Sequence, residues 1–133
     1  MEFRCFTARA SRRLRDLRTN VGVGAPVGDL TSLSADEARA RARTYTGIWD
    51  TGATNCVISS KVANECSLVP IGVTRVHTAN GEDLAKVYRV SLCLPNGIVF
   101  PAVRVSEGKL GSCDVLIGMD VIGSGDFAVS ADQ

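Results

Sequence analysis

The stretch YTGIWDTGATNCVIS, residues 45–59, places one carboxylate, Asp50, between two apolar runs: Ile48 and Trp49 precede it, Val57 and Ile58 follow it. An unpaired carboxylate enclosed by apolar groups costs several kcal/mol, so the placement needs a reason. Asp50-Thr51-Gly52 reads as a tight turn at the end of a strand. Gly52 permits a backbone path that a Cβ would obstruct. Thr51 offers a hydroxyl to pin the turn, and Asp50 is presented at its tip.

A single aspartate is a poor hydrolytic catalyst. Breaking an amide with water requires a base to take a proton and an acid to deliver one. Two carboxylates about 3 Å apart supply both, because they share one proton, and such a proton belongs to the pair. D-T-G occurs once here and the chain has no internal repeat. The second carboxylate must then come from another copy, across a two-fold axis through the turn. The apolar frame would tolerate Asp50 because its partner is another carboxylate holding a proton.

The rest of the chain sets the frame for this turn. Its 133 residues make one domain. Hydrophobic residues at 45% and charged residues at 22% suit a globular protein, and the net charge of +1 gives no general reason to expect nucleic acid or a membrane surface as partner. Arginines at 4, 9, 12, 13, 15 and 18 make a basic N-terminal segment, read as a solvated strand edge because no apolar run follows it as in a signal peptide. No stretch approaches a membrane span. Cys5, Cys56, Cys66, Cys93 and Cys113 form no C-x-x-C pair, and with His77 as the lone histidine neither a zinc site nor any other cofactor is expected. Free thiols of this kind fit a cytoplasmic protein, each read as a small buried apolar residue.

Residues 14–23 turn strand-like toward their end, and 24–36 read as a loop. Residues 34–43 suggest a helix capped by Ser34 with Glu37 as its capping-box partner; lacking an apolar face, it is expected to be exposed or frayed. Strands follow at 44–49 and after Asn55, then a short helix near Ser60–Cys66. Two alternating strands, 73–79 and 84–94, flank Asn80-Gly81-Glu82-Asp83 as a hairpin. Pro95-Asn96-Gly97 leads into another strand, Val115–Ile117 is a short apolar strand, and a helix begins after Gly118 with Asp120 as N-cap. Residues 127–130 read as a last strand. Asp114 and Asp126 read as exposed turn residues, and His77 as a strand-surface residue. The sum is an all-β domain, a small closed barrel with one or two short helices, divided into an N-terminal segment with first strand and long loop (1–43) and a core (44–133).

WDTGATNCVIS followed by DVLIGMD resembles the retropepsin-like aspartic proteases, the half-length homodimeric relatives of pepsin. The likeness runs from about Tyr45 to Ser130. D-T-G by itself arises by chance in roughly a few per cent of chains this long; Leu116-Ile117-Gly118 at the family's spacing and the hairpin where the family has its flap make it specific. The resemblance implies a barrel protease in which Leu116-Ile117-Gly118 passes behind the catalytic loop. It implies Asp50, Thr51 and Gly52 as the catalytic triplet, with Asp50 paired to its copy in a C2 homodimer whose terminal strands, 2–6 and 127–130, interleave. Ala53, Thr54, Ala79, Asn80 and Gly81 would line the groove for an extended polypeptide, under a hairpin that closes over it. Trp49 would wall the catalytic floor.

The departures matter as well. Retroviral members often pair an Asp two residues after the motif glycine with an Arg after the second-motif glycine. Here those positions hold Thr54 and Met119, so another clamp is needed, for which Asn55 and Asp120 are the candidates. Where pepsin-like enzymes usually have Ser or Thr after D-T-G, this chain has Ala53, which implies activity at mildly acidic rather than strongly acidic pH. The wording is nearer to bacterial or phage-borne relatives than to retroviral ones. The competing reading is a catalytically silent dimeric domain of the same fold that binds peptides or serves assembly; the intact D-T-G argues against it.

Overall fold

The computed structural model of the chain describes residues 6–8, 16–28, 32–78 and 81–125. Among these residues seven strands form one sheet: β1 (Leu17–Gly24), β2 (Arg43–Trp49), β3 (Cys56–Ile58), β4 (Gly72–Thr78), β5 (Gly81–Cys93), β6 (Val99–Glu107) and β7 (Val115–Ile117). Their spatial order is β1-β2-β7-β3-β6-β5-β4, and β1 also pairs with β5. Six strands therefore close into a barrel, and β4 hangs from β5 as the outer strand of a hairpin.

Closure depends on β5. It pairs with β4, β6 and β1 in turn, and its register slips between Val90 and Leu92. Such an irregularity bends a strand, and past it β5 keeps β6 as a neighbour and gains β1, with Gly22, Val23 and Gly24 facing Cys93, Leu92 and Ser91. The first hairpin is formed by β1 and β2, in register from Leu17 opposite Trp49 to Val23 opposite Arg43. The sequence segment before residue 44 thus supplies a stave of the barrel. Val21, Val23, Ile58, Val62, Val90, Leu92, Val115 and Ile117 fill the interior, each at most 2% exposed.

Among the described residues three short helices accompany the barrel. α1 (Ser32–Arg41) starts two residues before Ser34, so Ser34 lies within the helix and is not its cap. Nor is α1 without a buried side: Ala38 is 3% exposed and packs with Cys93 and Val99, beside Ala35 and Ala42. A stripe of alanines carries little hydropathy, yet its small side chains let the helix lie close to the sheet. α2 (Ser60–Glu65) is capped by Ser59, whose Oγ accepts from Val62 N at 3.4 Å. α3 (Met119–Ile122) is a single turn whose N-cap is Gly118, and Asp120 sits in its first turn. Asp120 does not cap the helix because its carboxylate is turned to another task, described below. Asp114 is half-buried rather than exposed: its backbone bonds to Thr46 and Ser59 across the barrel end, and Lys61 Nζ lies 4.0 Å from its carboxylate. Asp126 and the strand expected at 127–130 lie outside the described residues, as do residues 2–5. Among the described residues no helix is long and apolar enough to cross a membrane.

Two buried phenols tie the barrel to its periphery. Tyr45 Oη donates to Glu65 Oε1 and Tyr88 Oη to Glu107 Oε1, each at 2.9 Å. Burial foremost, and then hydrogen bonding to neighbouring groups, pushes both phenols up, Tyr88 to about 12. The native state therefore holds these protons more tightly than the unfolded chain. Stability from this source is complete below the ordinary phenol value of about 10 and is lost as pH rises toward 12. Urea midpoints should fall steeply over that window, and less steeply in Tyr88→Phe. Identical slopes for the two proteins would assign the alkaline loss to other groups.

Candidate active site

Asp50 follows directly on β2, which runs parallel to β7 with Trp49 opposite Ile117. The ladder continues one residue further, Asp50 N donating to Ile117 O at 2.9 Å. The chain then turns sharply: Ala53 N donates to Asp50 O at 3.2 Å, and Gly52 N donates to Asp50 Oδ1 at 2.8 Å. Among the described residues the Gly52 amide is the sole hydrogen-bond partner of that carboxylate. A Cβ at Gly52 would lie 3.2 Å from the same Oδ1, so the glycine leaves the acid room to take this position.

The outgoing leg of the turn is pinned by the second motif. Met119 N donates to Ala53 O at 2.7 Å, and Asp120 N to Thr54 O at 3.2 Å. Gly118 is pressed against the same leg: a Cβ there would fall 2.6 Å from Asn55 O and 2.9 Å from Ala53 O. Leu116-Ile117-Gly118 does pass behind the D-T-G turn.

Asp50 is half-buried, Thr51, Gly52, Thr54 and Asn55 are exposed, and Ala53 is intermediate. The expected enclosure of Asp50 is therefore not complete within one chain. The flanking apolar residues belong to the strands, whereas the turn projects beyond them. Trp49 packs partly buried against the core, its Nε1 donating to Thr19 Oγ1 at 2.9 Å and its ring 5.7 Å from that of Phe6.

Hairpin β4–β5 is in register to Thr78 opposite Gly81. Ala79 and Asn80, the expected tip, lie outside the described residues. Gly81 has φ +110°, a conformation that residues with a Cβ adopt only at a cost. Thr74, Val76, Ala85 and Val87 share the more buried side of the hairpin, while Val73, Leu84 and His77 are exposed on the other. His77 Nδ1 lies 3.9 Å from Glu82 Oε1 across the strands. Of the expected site residues, the structure brings Asp50 to Thr54 together on one pinned turn. Reading the sequence for catalysis passed over Cys56, six residues beyond Asp50, which proves to be bonded to Asp120. Among the described residues no group of three or more His, Cys, Asp and Glu side chains suits a metal ion.

The sequence profile described as "gag-polyprotein putative aspartyl protease" matches residues 37–124. A direct comparison with curated proteins gives no match. In structure, the chain is similar to the EIAV protease complexed with the inhibitor HBY-793, at 14% identity and a TM-score of 0.57, covering 90% of this chain and 93% of that one. It is similar to a retropepsin-like aspartic protease from Rickettsia conorii at 10% identity and a TM-score of 0.50, covering 87% of each chain. It also matches part of the foamy viral protease-reverse transcriptase, at 22% identity and a TM-score of 0.54, over 68% of this chain and 12% of that one. The pinned D-T-G turn, the six-stranded barrel and the profile agree: the chain belongs to the gag-polyprotein aspartyl protease family and has the retropepsin-like fold.

Proposed function

We propose that the chain is an aspartic endopeptidase that hydrolyses peptide bonds in an extended polypeptide, with Asp50 of one copy and Asp50 of a second copy sharing one proton across a two-fold axis. The observation that carries this reading is a single carboxylate on a pinned turn, left half-exposed by its own chain. A second copy over the turn would complete both the acid pair and the burial. The ionised carboxylate takes a proton from water as the water oxygen attacks the scissile carbonyl carbon, and the other carboxyl gives its proton to the carbonyl oxygen. A proton then passes to the amide nitrogen as the C–N bond breaks, leaving an acid and an amine. Gly52 N–H fixes one oxygen of Asp50, so the other is free for water and the partner acid. Thr51 is exposed beside Asp50, on the surface that a second copy would cover. Ala53 and Thr54 have both carbonyls engaged by Met119 and Asp120, so they meet substrate through their remaining surface. Ala79, Asn80 and Gly81 close over it, adding strand pairing to an extended peptide. A cytoplasmic setting belongs to the same reading, supported by free thiols at Cys56, Cys66, Cys93 and Cys113.

The mass in solution, with and without pepstatin, tests the reading. The inhibitor's hydroxyl imitates the attacking water of the tetrahedral intermediate. Two chains binding one pepstatin is the expected result. A monomer with full activity overturns the shared site, and a dimer that holds peptides without cleaving them identifies a silent binding domain.

The residue after the triplet bears on pH. A hydroxyl that donates to an ionised carboxylate favours the ionised form, and Ala53 has none to offer. Cleavage should peak at roughly pH 5 to 6.5, and Ala53→Ser should move the optimum toward acid. Paired pH–rate profiles on one peptide check this. A wild-type optimum below about pH 4, or an alkaline shift in the variant, would show that other groups govern the profile.

A further inference from the structure

The ion pair that often steadies this turn in retroviral relatives is replaced here by Thr54 and Met119, so the outgoing leg must be held in another way. Cys56, 1% exposed, supplies it together with Asp120. Cys56 Sγ lies 3.2 Å from Asp120 Oδ1 as donor and 3.5 Å from Gly118 N as acceptor. Cys56 N donates to Asp120 Oδ2 at 3.4 Å, and Asp120 Oδ1 also accepts from Val121 N at 2.9 Å. One carboxylate thus bonds both the backbone and the side chain of the residue at which the turn rejoins the barrel, and the thiol returns a bond to the second motif. Burial pushes the Cys56 thiol up to about 12, so it keeps the proton that it donates.

We propose that Asp120 is a positioning residue for Asp50, acting through Cys56 to hold the D-T-G turn in its catalytic geometry. The catalytic part of this inference rests on the protease reading; the positioning part does not. Asp120 touches neither Asp50 nor Gly52, and its influence passes along residues 54–56. A displacement of about 1 Å at a reacting group can cost on the order of 100-fold in rate. Asp120→Ala should therefore lower kcat roughly 10- to 100-fold with KM changed less than about threefold. Asp120→Asn keeps an oxygen for the Cys56 N–H or S–H and should recover most of the loss.

Amide hydrogen exchange separates positioning from general support. The Gly52 and Ala53 amides bond to Asp50 itself and are not contacted by Asp120. In Asp120→Ala they should exchange roughly tenfold faster while amides of β6 keep their wild-type rates, and Asp120→Asn should restore them. Unchanged exchange at Gly52 and Ala53, or an equal rise throughout the barrel, overturns the proposal, as does wild-type kcat in an active Asp120→Ala enzyme. A wild-type protein that neither cleaves peptide nor binds pepstatin would defeat the protease reading instead, and the exchange measurement would still decide whether Asp120 holds the turn.

Discussion

Asp50→Asn should abolish peptide cleavage while leaving the association of two chains intact. The amide has almost the same volume as the carboxylate, and its oxygen can still accept from Gly52 N, so the turn loses no contact. It cannot take a proton from water. Removing general acid–base function costs on the order of 10² to 10⁴ in rate, and if two copies share the site, as proposed, one substitution strips both halves of the pair, so the loss should lie at the upper end or beyond. Removing two acids from close quarters also removes the cost of placing like charges together, so the dimer should hold as well as wild type or better. Initial rates on one peptide, with sedimentation of both proteins, check the two parts. Wild-type rates in Asp50→Asn would refute the aspartyl mechanism, whereas a variant that falls to monomers would make Asp50 a structural residue.

The second large effect is expected at Gly118→Ala. The atoms that an added Cβ would meet, Asn55 O at 2.6 Å, Asn55 C at 2.7 Å and Ala53 O at 2.9 Å, are all backbone. No side chain can rotate away, so either the turn or the start of α3 must shift. Forced overpacking costs about 1–3 kcal/mol and occasionally more, and the rigid neighbours here put this site at the high end. For a domain of this size each kcal/mol lowers Tm by about 3–6 °C, so a drop of roughly 10 °C or more should appear in a thermal scan. Cleavage should be lost at temperatures where the variant is still folded, because the displaced leg closes the turn on Asp50 through Ala53 N. A variant with unchanged Tm and activity would mean that the crossing of the two motifs is looser than described.

The site was legible where its residues are contiguous. Asp50-Thr51-Gly52 forces a turn by local chemistry alone, and Leu116-Ile117-Gly118 announces a buried strand stopped by a glycine. Hairpin β4–β5 showed through its alternation. The contacts across sequence were not legible. Asp120 read as a helix cap and, beside Asn55, as a candidate clamp for the turn, but only the fold shows that Cys56 lies within reach of its carboxylate. Cys56 read as a small apolar residue, which describes its burial but misses its bonds. The sheltered side of α1 escaped notice because alanine contributes fit rather than hydropathy. Asp50 read as enclosed because its neighbours in sequence are apolar, although those neighbours point into strands that the turn leaves behind.

The pairing of residues 22–24 with 91–93 bears on how the protein reaches its native state. The pairings β4–β5 and β5–β6 are hairpins between near neighbours, whereas this seam, like the pairings of β7 with β2 and β3, joins segments far apart in sequence. The entropy of closing so long a loop must be met before the seam gives anything back, which makes such pairings late and slow. Until β1 arrives, β5 presents a row of open backbone donors and acceptors, the kind of edge through which half-folded chains join one another. The profile match begins at residue 37, beyond β1. A polypeptide trimmed to the matched span would keep every residue of the D-T-G turn and still lack the stave that seals its barrel. Such a fragment should aggregate on refolding, with β5 as the adhesive edge.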